Sequence, residues 1–391
     1  MKKYLSLVAG AMLMTACSND AEVSGDNQSS GQEIAVTVAQ ESLTRAQGEI
    51  DASVLQTAGF GLFASYTERL TYENTSVSPD FMYNQKVVST DNGETWVYNP
   101  VKYWPNSTDY ETGTIYNEYL TFFAYAPYEA SPKDDGRCII GMSGRYDKGD
   151  PWVNYRLVDD PWAEEPRFKQ VDLLYGVKQI NATGGDDLFY NETKPAFNDR
   201  LKVYFRHALA CIGDEITIRL ADDFTDYISD YADISISKVE IVYNELTTKA
   251  RLNLNSPSGP NWKELVSGEL TTTRTYTKTF DPAINLIENL IENNPYEISA
   301  NEGLFYIPLR IKGCDAPYAE VTVDYTIKPK NSITGSEYCG SVSTRFDLDL
   351  TLEGKKQGIE LILTKDLDLL HLTYDITDEQ AQEPSYSRQW K

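Results

Sequence analysis

The thiol of Cys17 is the side chain whose position most plainly invites chemistry. Met1-Lys2-Lys3 opens the chain, an uncharged run follows from Tyr4 to Ala16, and Leu13-Met14-Thr15-Ala16-Cys17 closes it. Two lysines, a short apolar run and a small residue before a cut make a bacterial secretory leader. The run is too short to remain in a bilayer as a helix, which takes about 20 residues. A cysteine directly after Ala16 has the form of a lipobox, in which the thiol is acylated and becomes the mature N-terminus; Met14 stands where leucine is usual. Ser18, rather than aspartate, follows it, which argues against inner-membrane retention. The expectation is an exported chain held to a membrane through lipid on Cys17. No later stretch reads as a membrane span.

Little else is arranged for catalysis. The chain has two histidines. His207 sits in an apolar strand start and is expected to pack and hydrogen-bond where two domains meet. His371 alternates with Leu370 and Leu372 and is expected to face water. Neither lies in a nucleophile pattern, so a Ser-His-Asp arrangement has no support. Gly-x-Ser-x-Gly, the phosphate-binding loop and His-Glu-x-x-His are all absent from the sequence. Asp222, Asp223, Asp226, Asp230 and Asp233 form an acidic run, but it lacks the glycine and glutamate of a calcium loop and reads as a solvated face. Asp159-Asp160 and Glu164-Glu165 would be a glycosidase-like carboxylate pair only in a better ordered setting. No enzyme, cofactor or metal is expected. Tyr146, Trp152, Tyr155 and Trp162 crowd one loop region, where exposed rings could stack on sugars, although loop anchoring is the simpler reading.

Bulk composition narrows the partners. Of 391 residues 12% are aromatic and 41% hydrophobic, enough for packed cores. The net charge is −24, and loss of Lys2 and Lys3 with the leader makes it more negative. Such a surface repels phosphate backbones, which excludes nucleic acid as a partner. Past the leader, Cys138, Cys211, Cys314 and Cys339 remain, and four cysteines allow three pairings. Cys314 and Cys339 flank an apparent hairpin and could meet; four buried free thiols are the alternative.

The elements that must carry these residues are mostly strands. Residues 17–32 contain almost nothing apolar and read as a flexible tether. Order is expected to begin at Ile34-Ala35-Val36-Thr37-Val38, where Ile34, Val36 and Val38 share one face. Residues 60–64 and 120–125 read as buried strands. Asp91-Asn92-Gly93 before Trp96-Val97-Tyr98 is a hairpin signal. Residues 181–199 read as a linker by composition, with a second domain opening near Leu201. Residues 283–292, with Ile284, Leu286, Ile287, Leu290 and Ile291, are the one helix expected, Asp281-Pro282 standing at its start. Many short strands with frequent turn signals argue for β-sandwiches.

Five stretches carry a resemblance. Trp96-Val97-Tyr98-Asn99-Pro100-Val101-Lys102-Tyr103-Trp104-Pro105 precedes Leu120-Thr121-Phe122-Phe123-Ala124-Tyr125-Ala126-Pro127. Then come Val171-Asp172-Leu173-Leu174-Tyr175, Val203-Tyr204-Phe205-Arg206-His207-Ala208-Leu209-Ala210 and Leu304-Phe305-Tyr306-Ile307-Pro308. In this order, behind a lipobox, they resemble the fimbrillin family of Bacteroidetes, in particular its Mfa-like branch; the match is weakest in the C-terminal third. The resemblance implies an all-β chain of two tandem transthyretin-like β-sandwich domains, with a short helix in the second. The division is then 1–16 leader, 17–32 tether, 33–190 first domain and 191–391 second domain. It implies a surface lipoprotein of the outer membrane, built into a fimbria with other subunits by donor-strand exchange. An arginine-specific protease would cut between Arg45 and Ala46, in Ser42-Leu43-Thr44-Arg45-Ala46. The first strand, with Ile34, Val36 and Val38, would leave, and a neighbour's strand would fill the groove. Gln47-Gly48 favours an exposed loop at the cut.

Two functions are consistent with this reading: a fimbrial structural or adhesive subunit, or a lipid-anchored module that binds a glycan or another host or bacterial surface ligand and never polymerises. Residues 378–391 offer only Ala381, Tyr386 and Trp390 around Pro384, a poor donor strand, which favours a tip or accessory role over a stalk role.

The leader reading has a direct check. Cells fed a fatty-acid analogue should label the wild-type chain, and Cys17→Ala should lose both label and membrane fractionation. Two or three acyl chains are needed for stable anchoring. A variant that keeps both would overturn the assignment.

Overall fold

The structure, a computed structural model, describes residues 31–39, 52–162, 170–181, 185–195, 199–265, 267–289, 295–330, 336–351 and 354–376. Strands dominate it, so the expected all-β class holds.

The first half is organised around an eight-stranded sheet. Its order is Leu174–Val177, Leu201–His207, Val36–Val38, Trp96–Val97, Met82–Ser89, Phe60–Tyr66, Leu120–Ala126 and Phe189–Glu192. Leu174–Val177 also pairs with Leu120–Ala126, through Leu174↔Ala126 and Tyr175↔Tyr125, so the first seven close into a ring. Alternation sorts their side chains. Phe60, Leu62, Ala64, Phe122, Ala124 and Ala126 join one core, while Phe63, Phe123 and Tyr125 join another outside the ring. Strands buried on both faces need continuous apolar runs, which is why residues 60–64 and 122–126 carry them. The hairpin expected at Asp91-Asn92-Gly93 forms: Val88 pairs with Val97 and Ser89 with Trp96. Asn92 and Gly93 take the left-handed conformation it requires, at φ 55° and 94°.

The second half places two sheets face to face. One is Tyr296–Ala300, Ala210–Leu220, Lys356–Leu363 and Leu369–Asp375, with Leu304–Tyr306 also on Ala210–Leu220. The other is Thr271–Asn285, Ala232–Thr247, Tyr318–Pro329 and Tyr338–Asp347. Along Ala232–Thr247 the buried parity switches from Ile234 and Ile236 to Val239, Ile241 and Tyr243. The pairing register slips between Ile236 and Lys238. A bulge of this kind keeps a long strand's apolar side facing the core despite the extra residue.

Several expectations need correction. Leu201–His207, read as the opening of a second domain, pairs with Val36–Val38 and with Leu174–Val177, inside the first ring. The halves also share a sheet, in which Trp152–Arg156 pairs with Lys249–Asn253. The expected helix at 283–292 shrinks to Leu286–Asn289, with residues 290–294 outside the description. Its first residues extend the strand Thr271–Asn285, because Ile284 pairs with Ile236 and is buried there. Short helices at Ala52–Ala58 and Asp222–Ile228 add to the elements read from the sequence. His371 does not face water. It lies opposite Leu361, on the sheet's inner side, and stacks on Phe346 at 4.5 Å, while Leu370 and Leu372 are the exposed residues. Burial holds its pKa below the usual histidine range.

The Cys314–Cys339 pairing fails on geometry. Cys339 lies opposite Thr326, whereas Cys314 precedes Tyr318, which lies opposite Asp347. Tyr318 and Thr326 are about 27 Å apart along the strand, the four residues from Cys314 to Tyr318 can recover at most about 14 Å, and a disulfide needs Cα atoms within about 7 Å. No disulfide joins the four described cysteines, and only Cys138 and Cys211 are buried. In thiol titration of the chain from residue 17 carrying Cys17→Ser, exposed Cys339 should react at once, and Cys138 and Cys211 only on unfolding. Recovery of a Cys314–Cys339 disulfide by mass spectrometry would contradict this.

Candidate functional site

Among the residues singled out from the sequence, Cys17, Arg45 and Ala46 lie outside the described residues. Ile34, Val36 and Val38 are described, and they come together at one place.

The strand Val36–Val38 occupies a slot inside the closed ring. On one side it runs parallel to Leu201–His207, with Val36↔Leu201, Thr37↔Lys202 and Val38↔Val203 in register. On the other it is antiparallel to Trp96–Val97, with Val36 opposite Trp96. Backbone bonds extend past the strand itself. Ile34 N–H donates to Lys102 O, Leu201 N–H to Ala35 O, Ala39 N–H to Val203 O and Trp104 N–H to Gln32 O, each at 2.9 Å. The buried Tyr98 hydroxyl donates to Ile34 O at 2.8 Å. Both edges of the segment are therefore occupied from Gln32 to Ala39.

Its side chains are held as fully as its backbone. Ile34 is 0% exposed, Val36 1% and Val38 8%. They enter the core with Phe60, Trp96, Trp104 and Phe205. Phe60 holds Trp96 at 5.6 Å and Phe205 at 5.3 Å between ring centroids, so one aromatic bridges the two strands that flank the slot. Burying a valine or isoleucine is worth about 1.5–3 kcal/mol each. Removing the segment would withdraw three such side chains and leave two unpaired strand edges facing an apolar trough.

Trp96, Tyr98 and Trp104 come from the sequence stretch 96–105 and all line or brace this slot. The other candidates lie elsewhere. His207 Nδ1 sits 2.5 Å from Asp172 Oδ2, both at the base of the ring strands. Of the acidic run, Asp222 pairs with Arg219 at 3.3 Å and Asp223 with Lys365 at 2.9 Å. The expected loop placement fails for Tyr155, which lies in the strand Trp152–Arg156 with its ring in the core, while Trp162 donates from Nε1 to Glu302 O at 2.8 Å and braces its loop. The guanidinium of Arg251 lies over Trp152 at 3.7 Å.

Val36→Asp tests whether the first strand belongs to the core. A carboxylate there would be buried among aromatic and aliphatic groups, at about 3 kcal/mol or more. The chain with its first strand intact should melt roughly 5–10 °C lower. Equal melting temperatures would show that residues 34–38 belong to the tether.

No family model matches this chain. Over 157 residues it is 30% identical to the fimbrium subunit Fim1C of Phocaeicola vulgatus, a match spanning 40% of this chain and 38% of that relative. Its fold superposes on a fimbrial protein from Bacteroides vulgatus with a TM-score of 0.63 at 19% identity, covering 88% of this chain and 99% of that one. The fimbrial anchor protein Mfa2 of Porphyromonas gingivalis aligns over 88% of this chain and 97% of its own at 11% identity, but with a TM-score of 0.29 that carries no argument. The resemblance read from the motifs therefore stands: over part of its length this chain is a homologue of a Bacteroidetes fimbrium subunit, and its fold is that of a Bacteroides fimbrial protein.

Proposed function

We propose that this chain is a fimbrial subunit, structural or adhesive, whose first strand is a removable plug. The observation that carries the reading is the slot. Ile34, Val36 and Val38 fill a central position in a closed ring, with both backbone edges bonded, only a few residues before Arg45. A strand central to a sheet is ordinarily a poor thing to discard. Its loss makes sense where a second strand replaces it, since strand addition restores main-chain bonds and fills alternate pockets.

In this reading Cys17 carries the lipid that delivers the chain to the outer membrane. An arginine-specific protease then cuts between Arg45 and Ala46, and a neighbouring subunit supplies the replacement strand. The chain comprises an N-terminal ring unit and a C-terminal sandwich, the boundary falling after His207 rather than near residue 190. A tip or accessory place is preferred to a stalk place, because residues 378–391 make a weak donor.

N-terminal sequencing of assembled, surface-derived protein should read Ala-Gln-Gly-Glu, and unboiled gels should show a ladder that Arg45→Ala abolishes. Recovery of residues 34–38 in assembled material would sink the strand-exchange model.

A further inference from the structure

A cleft of about 440 Å³ opens on the other side of the ring, where three distant segments meet. Tyr72 to Thr75 come from the loop after Phe60–Tyr66, Tyr190 and Asn191 from Phe189–Glu192, and Asn255 from the turn after Lys249–Asn253. Tyr72 and Tyr190 stack at 5.7 Å and 30°, both against buried Phe123. Tyr190 nevertheless leaves 37% of its surface open.

The cleft is fixed by one carboxylate. Asp150 accepts from the Tyr72 hydroxyl at 2.9 Å, Asn255 Nδ2 at 3.1 Å, and Asn74 and Asn253 Nδ2 at 3.3 Å. The Tyr190 hydroxyl donates to Asn255 Oδ1. Asn191 Oδ1 accepts from the Tyr72 backbone N–H at 2.7 Å, which ties the loop to the strand. Burial and Asp150 keep both phenols protonated, with Tyr190 raised to about 12. The rings are thus held in place before any ligand arrives, which lowers the ordering cost of binding.

Other lining groups are left over. The Glu73 carboxylate, the Thr75 hydroxyl, Asn74 Oδ1 and Asn191 Nδ2 have no hydrogen-bond or ion-pair partner among the described residues. They mix donors and acceptors on the rim of an aromatic floor, and none of the lining residues is cationic. We infer that this cleft binds a neutral saccharide, its C–H face on Tyr190 and its hydroxyls on Glu73, Thr75 and the asparagine amides. Sugars present such a split surface, an apolar face rimmed by hydroxyls that both give and take hydrogen bonds. Glu73 and Asp150 repel an anionic sugar, so sialylated and sulfated glycans should be discriminated against. No cleft residue lies on the first strand, so binding does not depend on its removal.

The test uses the unlipidated chain of residues 17–391 on an array of neutral oligosaccharides ending in galactose, glucose, mannose, fucose or N-acetylglucosamine, with sialylated counterparts. The strongest hit is then titrated in solution. At least one neutral glycan should bind, in the range of about 1 mM or tighter, and its sialylated form more weakly. Tyr190→Ala should weaken binding at least tenfold, and the exposed Glu73→Ala severalfold without moving the melting temperature. Tyr110→Ala, at a tyrosine 96% exposed elsewhere, should leave binding unchanged. If Tyr190→Ala does not fold, Glu73→Ala combined with Asn74→Ala decides instead. Absence of any neutral glycan binding, or binding that survives the cleft substitutions, would overturn the proposal. Either result leaves the cleavage and ladder outcomes untouched, so the two readings fail separately.

Discussion

The N-terminal unit depends on a strand being present between Leu201–His207 and Trp96–Val97. Ring closure leaves the inner core no face open to water, so its apolar side chains are hidden only if each position in the ring is filled. The slot filled by Ile34, Val36 and Val38 is a narrow part of the wall: three strand residues with five flanking hydrogen bonds hold one side of the core. Tyr98 shows how local the arrangement is. Its hydroxyl reaches Ile34 O, so part of the stretch that follows the Asp91-Asn92-Gly93 hairpin exists to receive the first strand.

The ring's outer face continues into the second half. Phe63, Tyr125, Tyr155 and Tyr175 belong to the same buried cluster as Ile218, Ile241 and Leu361. Trp262 Nε1 reaches Ala208 O at 2.9 Å, and Gln170 bonds both Gly303 O and the Phe305 N–H. These contacts bind the halves along the face away from the slot. A change at the first strand therefore acts on the inner core, while the outer core keeps its own contacts.

Much of this is legible in the sequence because two-faced burial writes a plain pattern. Residues 60–64 and 122–126 are runs of apolar and aromatic residues, and they lie in strands. Residues 34–38 alternate, and their even-numbered members are buried. What the sequence hides depends on partners far away along the chain. Ile284 belongs to a helically spaced set, but its pairing with Ile236 on Ala232–Thr247 outweighs local propensity. His371 has the polar parity of an outward residue, yet its edge strand sets it over Phe346. Residues 181–199 have linker composition, but Phe189–Glu192 within them pairs with Leu120–Ala126. The saccharide cleft is invisible for the same reason: Tyr72, Asp150, Tyr190 and Asn255 carry no common motif, and only the fold gathers them. The aromatics that do cluster in sequence, Tyr155 and Trp162, brace the core and its loops.

The slot also constrains what could replace its strand. Val36–Val38 runs parallel to one neighbour and antiparallel to the other. A strand entering in the opposite direction would exchange those relations and still find one parallel and one antiparallel partner. Backbone pairing alone therefore does not select direction. The side-chain pockets do so only weakly, since alternate residues point inward either way. Direction must come from the asymmetric ends: Tyr98 and Lys102 grip the Ile34 end, while Val203 O takes the N–H at the Ala39 end. A replacement must offer a carbonyl near Tyr98 and an N–H near Val203, with three alternating aliphatic residues between. That requirement is the one the first strand itself satisfies, so any strand able to replace it should share its pattern rather than its sequence.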